Sequence, residues 1–361
     1  MYPILDQYYN KTIDWFTDVT SNVSISPNQY HIIHPKETIQ LSPPKGVDLV
    51  RWPTECHFDE AFVAVIPNGR VVTGNCCVVT PNNKRLLDTE YYYNPSIELQ
   101  APEYRKETVA TLVWGWNSPS LSYYTHAVYG HWFFDYLPRI HLLERSGIPI
   151  DKYLIGKLTH PFQYESLNML DFPMDKLIQV DRDDFHLIAD RLVVPAVPVN
   201  LGKSPKWAYQ FIHKRLKEDH VIPKKSGYER IYISRQDAFA RFVINEDEVM
   251  NYLQQKGFTR VVTTPLSTIE KISLFSAAEV IVSPFGSNNA NLAFCNPGTK
   301  VIEMSPITVV DDYFWKISNY AQLDYYEMVC DIELPPKPIG GIDNLIVDIN
   351  KLAQVLALAG V

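Results

Sequence analysis

The chain has 361 residues, of which 46% are hydrophobic and 20% charged, and a formal charge of -8. This is enough length and apolar content for two buried cores, and the acidic balance excludes a protein whose affinity comes from cationic contacts to nucleic acid phosphates. Five cysteines with no paired CxxC spacing, and a start at Met1-Tyr2-Pro3 without a basic or apolar signal region, give the expectation of a reducing, cytoplasmic setting; no apolar run is long enough to span a bilayer.

Taken in chain order, the sequence up to about Arg105 offers short strand-like runs, among them Ala61 to Ile66 and Arg70 to Thr73. Pro67-Asn68-Gly69 and Pro81-Asn82-Asn83 read as the turns that join such runs. From Tyr129 to Ser146 the pattern becomes helical, and Tyr153 to Ile155, Leu177 to Val180 and Leu192 to Val194 read as strands of an α/β sheet. A basic stretch follows at Lys203, Lys206, Lys214, Arg215, Lys217, Lys224 and Lys225. It reads as a solvated linker helix and leaves a peripheral contact with anionic lipid open.

Residues 230–304 then alternate strand and helix signals. Arg230 to Ile233 is a β-branched and aromatic run that stops at Ser234-Arg235. Asn245 reads as an N-cap before Glu246-Asp247-Glu248, Val249 and Leu253 share a face, and Gly257 supplies the stop. Phe258 to Thr263 is the next strand. Ser267-Thr268-Ile269-Glu270 has capping-box form and opens a helix to Ala278. Val280 to Val282 is a buried strand ending at Pro284-Phe285-Gly286, Asn288 to Phe294 fits a short helix, and Lys300 to Ile302 leads into Glu303. The sum, β-α-β-α-β-α-β, predicts a parallel sheet that binds its ligand outside the carboxyl ends of its strands. Asp348 to Ala359 is a further amphipathic helix.

Candidate site residues collect at those ends. Gly286 lets backbone approach a phosphate closely, and the helix start behind it offers N–H groups to an anion. Arg235 and Arg241 suit a diphosphate through forked hydrogen bonds, and Glu303 suits ribose hydroxyls. Singly, each has a plain structural reading as a turn, a solvated loop or a surface charge; their shared location favours the site. In Tyr129 to Arg139, a helix sets His131 and Asp135 four apart on one face, as a proton relay or, with Asp135 as base, toward an acceptor hydroxyl. The alternative is a core histidine with its structural partner, and Pro138 either kinks this helix or begins a new one. Asp181-Arg182-Asp183 is a DxD triplet, but its position after a strand reads as a turn, so no metal is expected. Tyr91-Tyr92-Tyr93 and Tyr123-Tyr124 could stack on sugars, although such clusters more often pack strands.

Three blocks in order resemble glycosyltransferase family 61: Gly130 to Arg139; Ile233-Ser234-Arg235 with Arg241 and Asn245-Glu246; and Pro284 to Phe294 with Val301-Ile302-Glu303. The likeness implies a GT-B α/β fold, two Rossmann-like lobes with parallel sheets facing across a cleft. It also implies inverting, metal-independent transfer of a sugar from a nucleotide-sugar donor, UDP-linked by expectation, to a hydroxyl of a glycan or lipid-linked oligosaccharide. On that reading residues 1–200 form the acceptor-side lobe, 201–228 the linker, 229–340 the donor lobe and 341–361 a terminal helix. Arg235, Arg241, Gly286, Ser287, Asn288, Asn291 and Glu303 hold the donor, and His131 and Asp135 are catalytic. The loop departs from the commonest family form, where a His precedes the glycine and a small residue follows it in a Gly-Ala-Gly arrangement; here Phe285 and Asn288 take the outer positions. A sugar-nucleotide epimerase and a non-catalytic glycan- or nucleotide-binding protein remain as alternatives.

Overall fold

The computed structural model describes residues 6–20, 29–48, 52–73, 76–90, 99–113, 117–118, 123–124, 127–182, 184–196, 204–309, 311–338 and 341–361. Met1 to Pro3, Tyr91 to Tyr93, Asp183 and Lys203, named above, lie outside them. The chain divides into two compact units, Met1–Thr38 with His57–Phe211, and Ile39–Cys56 with Ile212–Val361.

The first unit is built on a mixed sheet. Its parallel part contains β2 (Glu103–Thr111), β3 (Lys152–Gly156), β4 (Leu177–Val180) and β5 (His186–Pro195), ordered β5-β2-β3-β4, and β5 pairs antiparallel with β1 (Ala61–Val72). The turn predicted at Pro67-Asn68-Gly69 is instead a kink inside one 12-residue strand. Pairing with β5 continues on both sides of it, Arg191 against Pro67 and Ala189 against Gly69, while Asn68 takes a left-handed φ of 51°. Cross-strand pairing over two flanking apolar runs outweighs a local turn preference. Pro81-Asn82-Asn83 does turn the chain, with Asn83 at φ 64°, between the short strands Cys77–Val79 and Arg85–Leu86.

The helical segment after β2 is the crossover to β3, and it has three parts: an α turn Tyr129–His131, a π turn Trp132–Tyr136, and α1 (Leu137–Ser146), ended by Gly147 at φ 66°. Pro138 stands in the first turn of α1 and lacks the N–H that would continue the ladder from the π turn before it. This leaves the Phe134 carbonyl four residues back without that donor, and the buried Ser204 hydroxyl donates to it at 3.2 Å. The Leu137 N–H reaches back five residues to Trp132, and the Trp132 indole N–H donates to Ser166 Oγ at 2.8 Å. The π turn is thus held by packing and side-chain bonds rather than by propensity.

In the second unit β6 (Arg230–Ile233), α2 (Glu246–Gln254), β7 (Thr259–Val261), α3 (Thr268–Ala277), β8 (Val280–Pro284) and β9 (Lys300–Pro306) follow the predicted alternation. They are extended by α4 (Tyr313–Tyr320), β10 (Asp324–Ile332), a short antiparallel strand Leu345–Ile346 and α5 (Ile349–Leu358). The five parallel strands lie in the order β7-β6-β8-β9-β10. Alternate strand residues Tyr232, Val282, Ile302, Met304 and Met328 face a core completed by Val249 and Leu253 of α2 and Leu352, Val355 and Leu356 of α5. Each such aliphatic side chain contributes about 1.5–3 kcal/mol by leaving water. The terminal helix is therefore part of this unit's core. Residues 39–56 join the same unit because Lys45–Gly46 pairs with β10 and Asp48 accepts from the Val329 N–H at 2.7 Å and the Lys351 ammonium at 2.6 Å.

The Ser267–Glu270 capping box forms as the sequence predicts. Asn245 occupies the N-cap position of α2 but spends its side chain elsewhere, exchanging two hydrogen bonds with the backbone of Val347. The basic stretch is largely engaged locally: Lys214 pairs with Asp219 at 2.6 Å, and Lys217 donates to the Phe294 carbonyl at 2.7 Å and to Asn296 Oδ1 at 3.0 Å. All five cysteines are buried and none is in a disulfide. Among the described residues no helix is long and apolar enough to cross a membrane.

Candidate active site

In the first unit His131 and Asp135 meet as the spacing predicts, with His131 Nδ1 2.6 Å from Asp135 Oδ2. Their positions are unequal. Asp135 is 0% exposed and His131 25%, so the carboxylate lies behind the ring and the imidazole is the group a substrate can reach. Burial raises the Asp135 pKa, and the bond and charge of His131 oppose that rise. Asp135 Oδ1 is buried without a partner. One turn further on, Arg139 is buried and donates to the carbonyls of Thr111 and Leu112 at 2.9–3.0 Å, with Pro195 O at 3.5 Å. Those carbonyls are at the carboxyl ends of β2 and β5, so Arg139 ties the helix to the strand ends and the His131–Asp135 pair sits at that edge of the sheet. Burial lowers the Arg139 pKa to about 10.

The second unit's order reverses between β6 and β8, and at such a reversal the loops part to leave a crevice at the carboxyl edge. Arg235 follows β6 and Gly286 follows β8. They are in direct contact: a Cβ on Gly286 would lie 1.9 Å from Arg235 Nη1. Gly286 has an extended φ of 167°, so glycine is needed there for space, and the group using the space is the guanidinium, where the sequence suggested a phosphate. Arg235 is buried, donates to the Ala240 carbonyl at 3.0 Å, and keeps its Nε without a partner. Its pKa falls to about 10, first through burial and then through the charge of Arg241, with Asp237 opposing. Arg241, at a left-handed φ of 57°, donates to the Gly341 carbonyl at 2.9 Å and sits 5.3 Å from the centre of the Phe285 ring. Phe285, the departure from the family loop, is thus a platform for one arginine and packs on Phe314 at 5.2 Å.

Ser287 and Asn288 are half-buried and open a 3-10 turn, Ser287–Phe294, ahead of its first bond from Asn289 N–H to Gly286 O at 2.8 Å. Asn291 is buried and its amide donates to the Asn288 carbonyl at 2.8 Å. Asn289, which the sequence reading passed over, is the organising residue. It accepts from Ser283 Oγ at 2.6 Å and donates to Glu303 Oε1. The Tyr325 hydroxyl donates to Glu303 Oε2. Glu303 is therefore fully buried with both oxygens engaged, and its place is behind Asn289, bracing the loop, rather than against a ribose.

Burial pushes the Glu303 carboxyl up to about 8, against its bonds to Tyr325 and Asn289. A folded value above the unfolded one means that folding binds a proton between the two, so stability is greatest below the unfolded pKa and falls as pH rises to about 8. Glu303→Gln keeps the shape without the charge. Its unfolding free energy relative to wild type should rise with pH by up to about 1.4 kcal/mol per unit over that window, measured by urea unfolding near pH 6 and pH 8. Parallel curves for the two proteins would reject this account of Glu303.

Among the described residues, buried polar atoms without partners include Thr111 Oγ1, Asp135 Oδ1 and Arg139 Nε at the carboxyl edge of the first unit and Arg235 Nε and Thr263 Oγ1 at that of the second, with Gln29 Oε1 and Glu37 Oε1 elsewhere. Native interiors leave few such atoms, and where they cluster a ligand or water is the usual partner. Asp181 of the DxD triplet pairs instead with Lys157 at 2.9 Å, and Asp183 lies outside the described residues. Tyr123–Tyr124 forms a two-residue strand paired with Asn117–Ser118.

Parallel strands in this order, with helices between them, make the second unit a Rossmann-like α/β fold. Residues 129–302 match the family model of Glycosyltransferase 61, which supports an assignment to that family. The matched segment takes in His131, Asp135, Arg235, Arg241 and the Gly286 loop. No curated protein matches the chain. The family supports a transferase and favours neither an epimerase nor a non-catalytic binder.

Proposed function

We propose that the protein is an inverting, metal-independent glycosyltransferase of GT-B type, moving a sugar from a nucleotide-sugar donor to a hydroxyl of a glycan acceptor. The observation that carries the reading is Arg235, a buried guanidinium at the strand reversal with an unpartnered Nε and a glycine cleared for it. A desolvated cation is costly unless an anion completes it, and a diphosphate supplies two charges and several acceptors.

In the proposed reaction His131 Nε2 takes the proton of the acceptor hydroxyl, while Asp135 holds Nδ1–H and stabilises the imidazolium that forms. The acceptor oxygen bonds to the anomeric carbon from the face opposite the nucleotide. The bond from that carbon to the phosphate oxygen breaks with its electron pair going to the diphosphate. Arg235 and Arg241 neutralise the charge that develops there. UDP is the proposed nucleotide, and a reducing, cytoplasmic compartment the proposed setting. Incubation with a panel of nucleotide-sugars, with and without glycan acceptors and in the presence of chelator, tests this: a product of inverted anomeric configuration is expected. Donor epimerised without acceptor, or activity restored only by manganese, would refute it.

A further inference from the structure

We propose that Asn289 is a positioning residue for the donor: it fixes the Gly286 turn and, through that turn, the place of the Arg235 guanidinium; this rests on the donor site proposed above. The hydrogen bonding of the sheet reaches into the loop at Phe285, whose N–H bonds to the Met304 carbonyl at 2.8 Å. From Gly286 onward Asn289 takes over. Its N–H bonds to the Gly286 carbonyl at 2.8 Å. Its side chain is 0% exposed and uses both ends of the amide: Oδ1 accepts from Ser283 Oγ at 2.6 Å, while Nδ2 donates to Glu303 Oε1 and to the Pro284 carbonyl at 3.4 Å. The loop is thus tied to β8 on one side and to β9 on the other, and Glu303 is held in turn from β10 by the Tyr325 hydroxyl. All four side chains are buried, so water does not replace a lost bond, and a buried polar group left without its partner costs more than the bond contributed. Gly286 itself packs against Arg235, closely enough that a Cβ there would lie 1.9 Å from Nη1. A small shift of the turn therefore moves the wall against which the guanidinium lies. Hydrogen bonds to a diphosphate tolerate little displacement of their donors. The chain Tyr325–Glu303–Asn289–Gly286–Arg235 carries the position of three adjacent strands to the charge that binds the donor.

Calorimetry on the intact protein with uridine diphosphate and inorganic pyrophosphate, beside melting curves, tests this. Asn289→Leu keeps the approximate volume without the amide and should weaken both ligands by about tenfold or more, the scale of a lost buried polar contact. The double substitution Asn289→Asp with Glu303→Gln exchanges amide and carboxyl group across the same contact, and it should restore affinity to within about threefold of wild type. In the Arg235→Ala background Asn289→Leu should cost almost nothing further, because the guanidinium through which it acts is gone. Wild-type affinity in a folded Asn289→Leu protein would overturn the proposal, as would an exchanged pair that binds no better than Asn289→Leu, or losses that add to those of Arg235→Ala. If Asn289→Leu does not fold, the exchanged pair decides: affinity more than about tenfold below wild type, or a failure of that protein to fold, rejects the contact. If wild type binds neither ligand, the donor site itself fails and the positioning role with it. If Arg235→Ala loses binding while Asn289→Leu binds normally, only the positioning role fails.

Discussion

Replacing His131 with alanine should lower turnover by roughly three orders of magnitude, within the range a positioned general base contributes, while leaving the affinity for nucleoside diphosphate unchanged. The reason is the division of labour in the pair. Asp135 is fully buried and bonded to Nδ1 at 2.6 Å, so in the proposed reaction it fixes the ring orientation and leaves Nε2 to take the proton. Asp135→Asn keeps the volume but removes the charge that balances an imidazolium, and a fall of at least about a hundredfold in turnover is expected. The double variant should be little worse than His131→Ala alone, because the carboxylate acts through the ring. Steady-state kinetics beside calorimetric donor affinities and melting curves read all three proteins. Normal turnover in a folded Asp135→Asn protein would remove the pair from the reaction.

The second large effect is expected at Gly286 and Arg235. Gly286→Ala places a methyl group 1.9 Å from Arg235 Nη1 and 2.5 Å from its Cζ, so the guanidinium must leave its position. Donor affinity should fall by about a hundredfold, near the roughly 1.5–3 kcal/mol of a hydrogen bond to a charged group. Arg235→Ala should lose the same amount. In the Arg235→Ala background Gly286→Ala should then cost almost nothing more, since the clash is with a side chain no longer there; a double-mutant cycle isolates this coupling. Arg235→Ala should also melt no lower than wild type without ligand, because it removes a desolvated cation whose pKa burial has already lowered to about 10. Additive losses in the cycle would show that Gly286 serves the ligand rather than the arginine.

The alternation of strands and helices in residues 230–304 was legible because its signals are local. The Ser267–Glu270 box and Gly257, at φ 81°, report backbone geometry within a few residues. Strand ends were read short: Lys300 to Ile302 continues to Pro306, and Leu192 to Val194 begins at His186. The reason is that Glu303, Ser305 and Asp190 look like strand breakers until a neighbouring strand pairs with their backbone. Of three nearby asparagines, only the register of β9 against the 3-10 turn selects Asn289 as the one that reaches Glu303. Its local sequence signal does not differ from those of Asn288 and Asn291.

By itself the sequence determined the α/β class, the crossover helix bearing His131 and Asp135, and the arginines and glycine just past their strands. These follow from periodicity, caps and i,i+4 spacing, which act over one or two turns. Only the tertiary structure decided that the strand order reverses between Arg235 and Gly286, that Asp135 lies behind His131, and that Glu303 faces inward. Those facts depend on which distant segments come together and exclude water, and residues far apart along the chain carry no local mark of it.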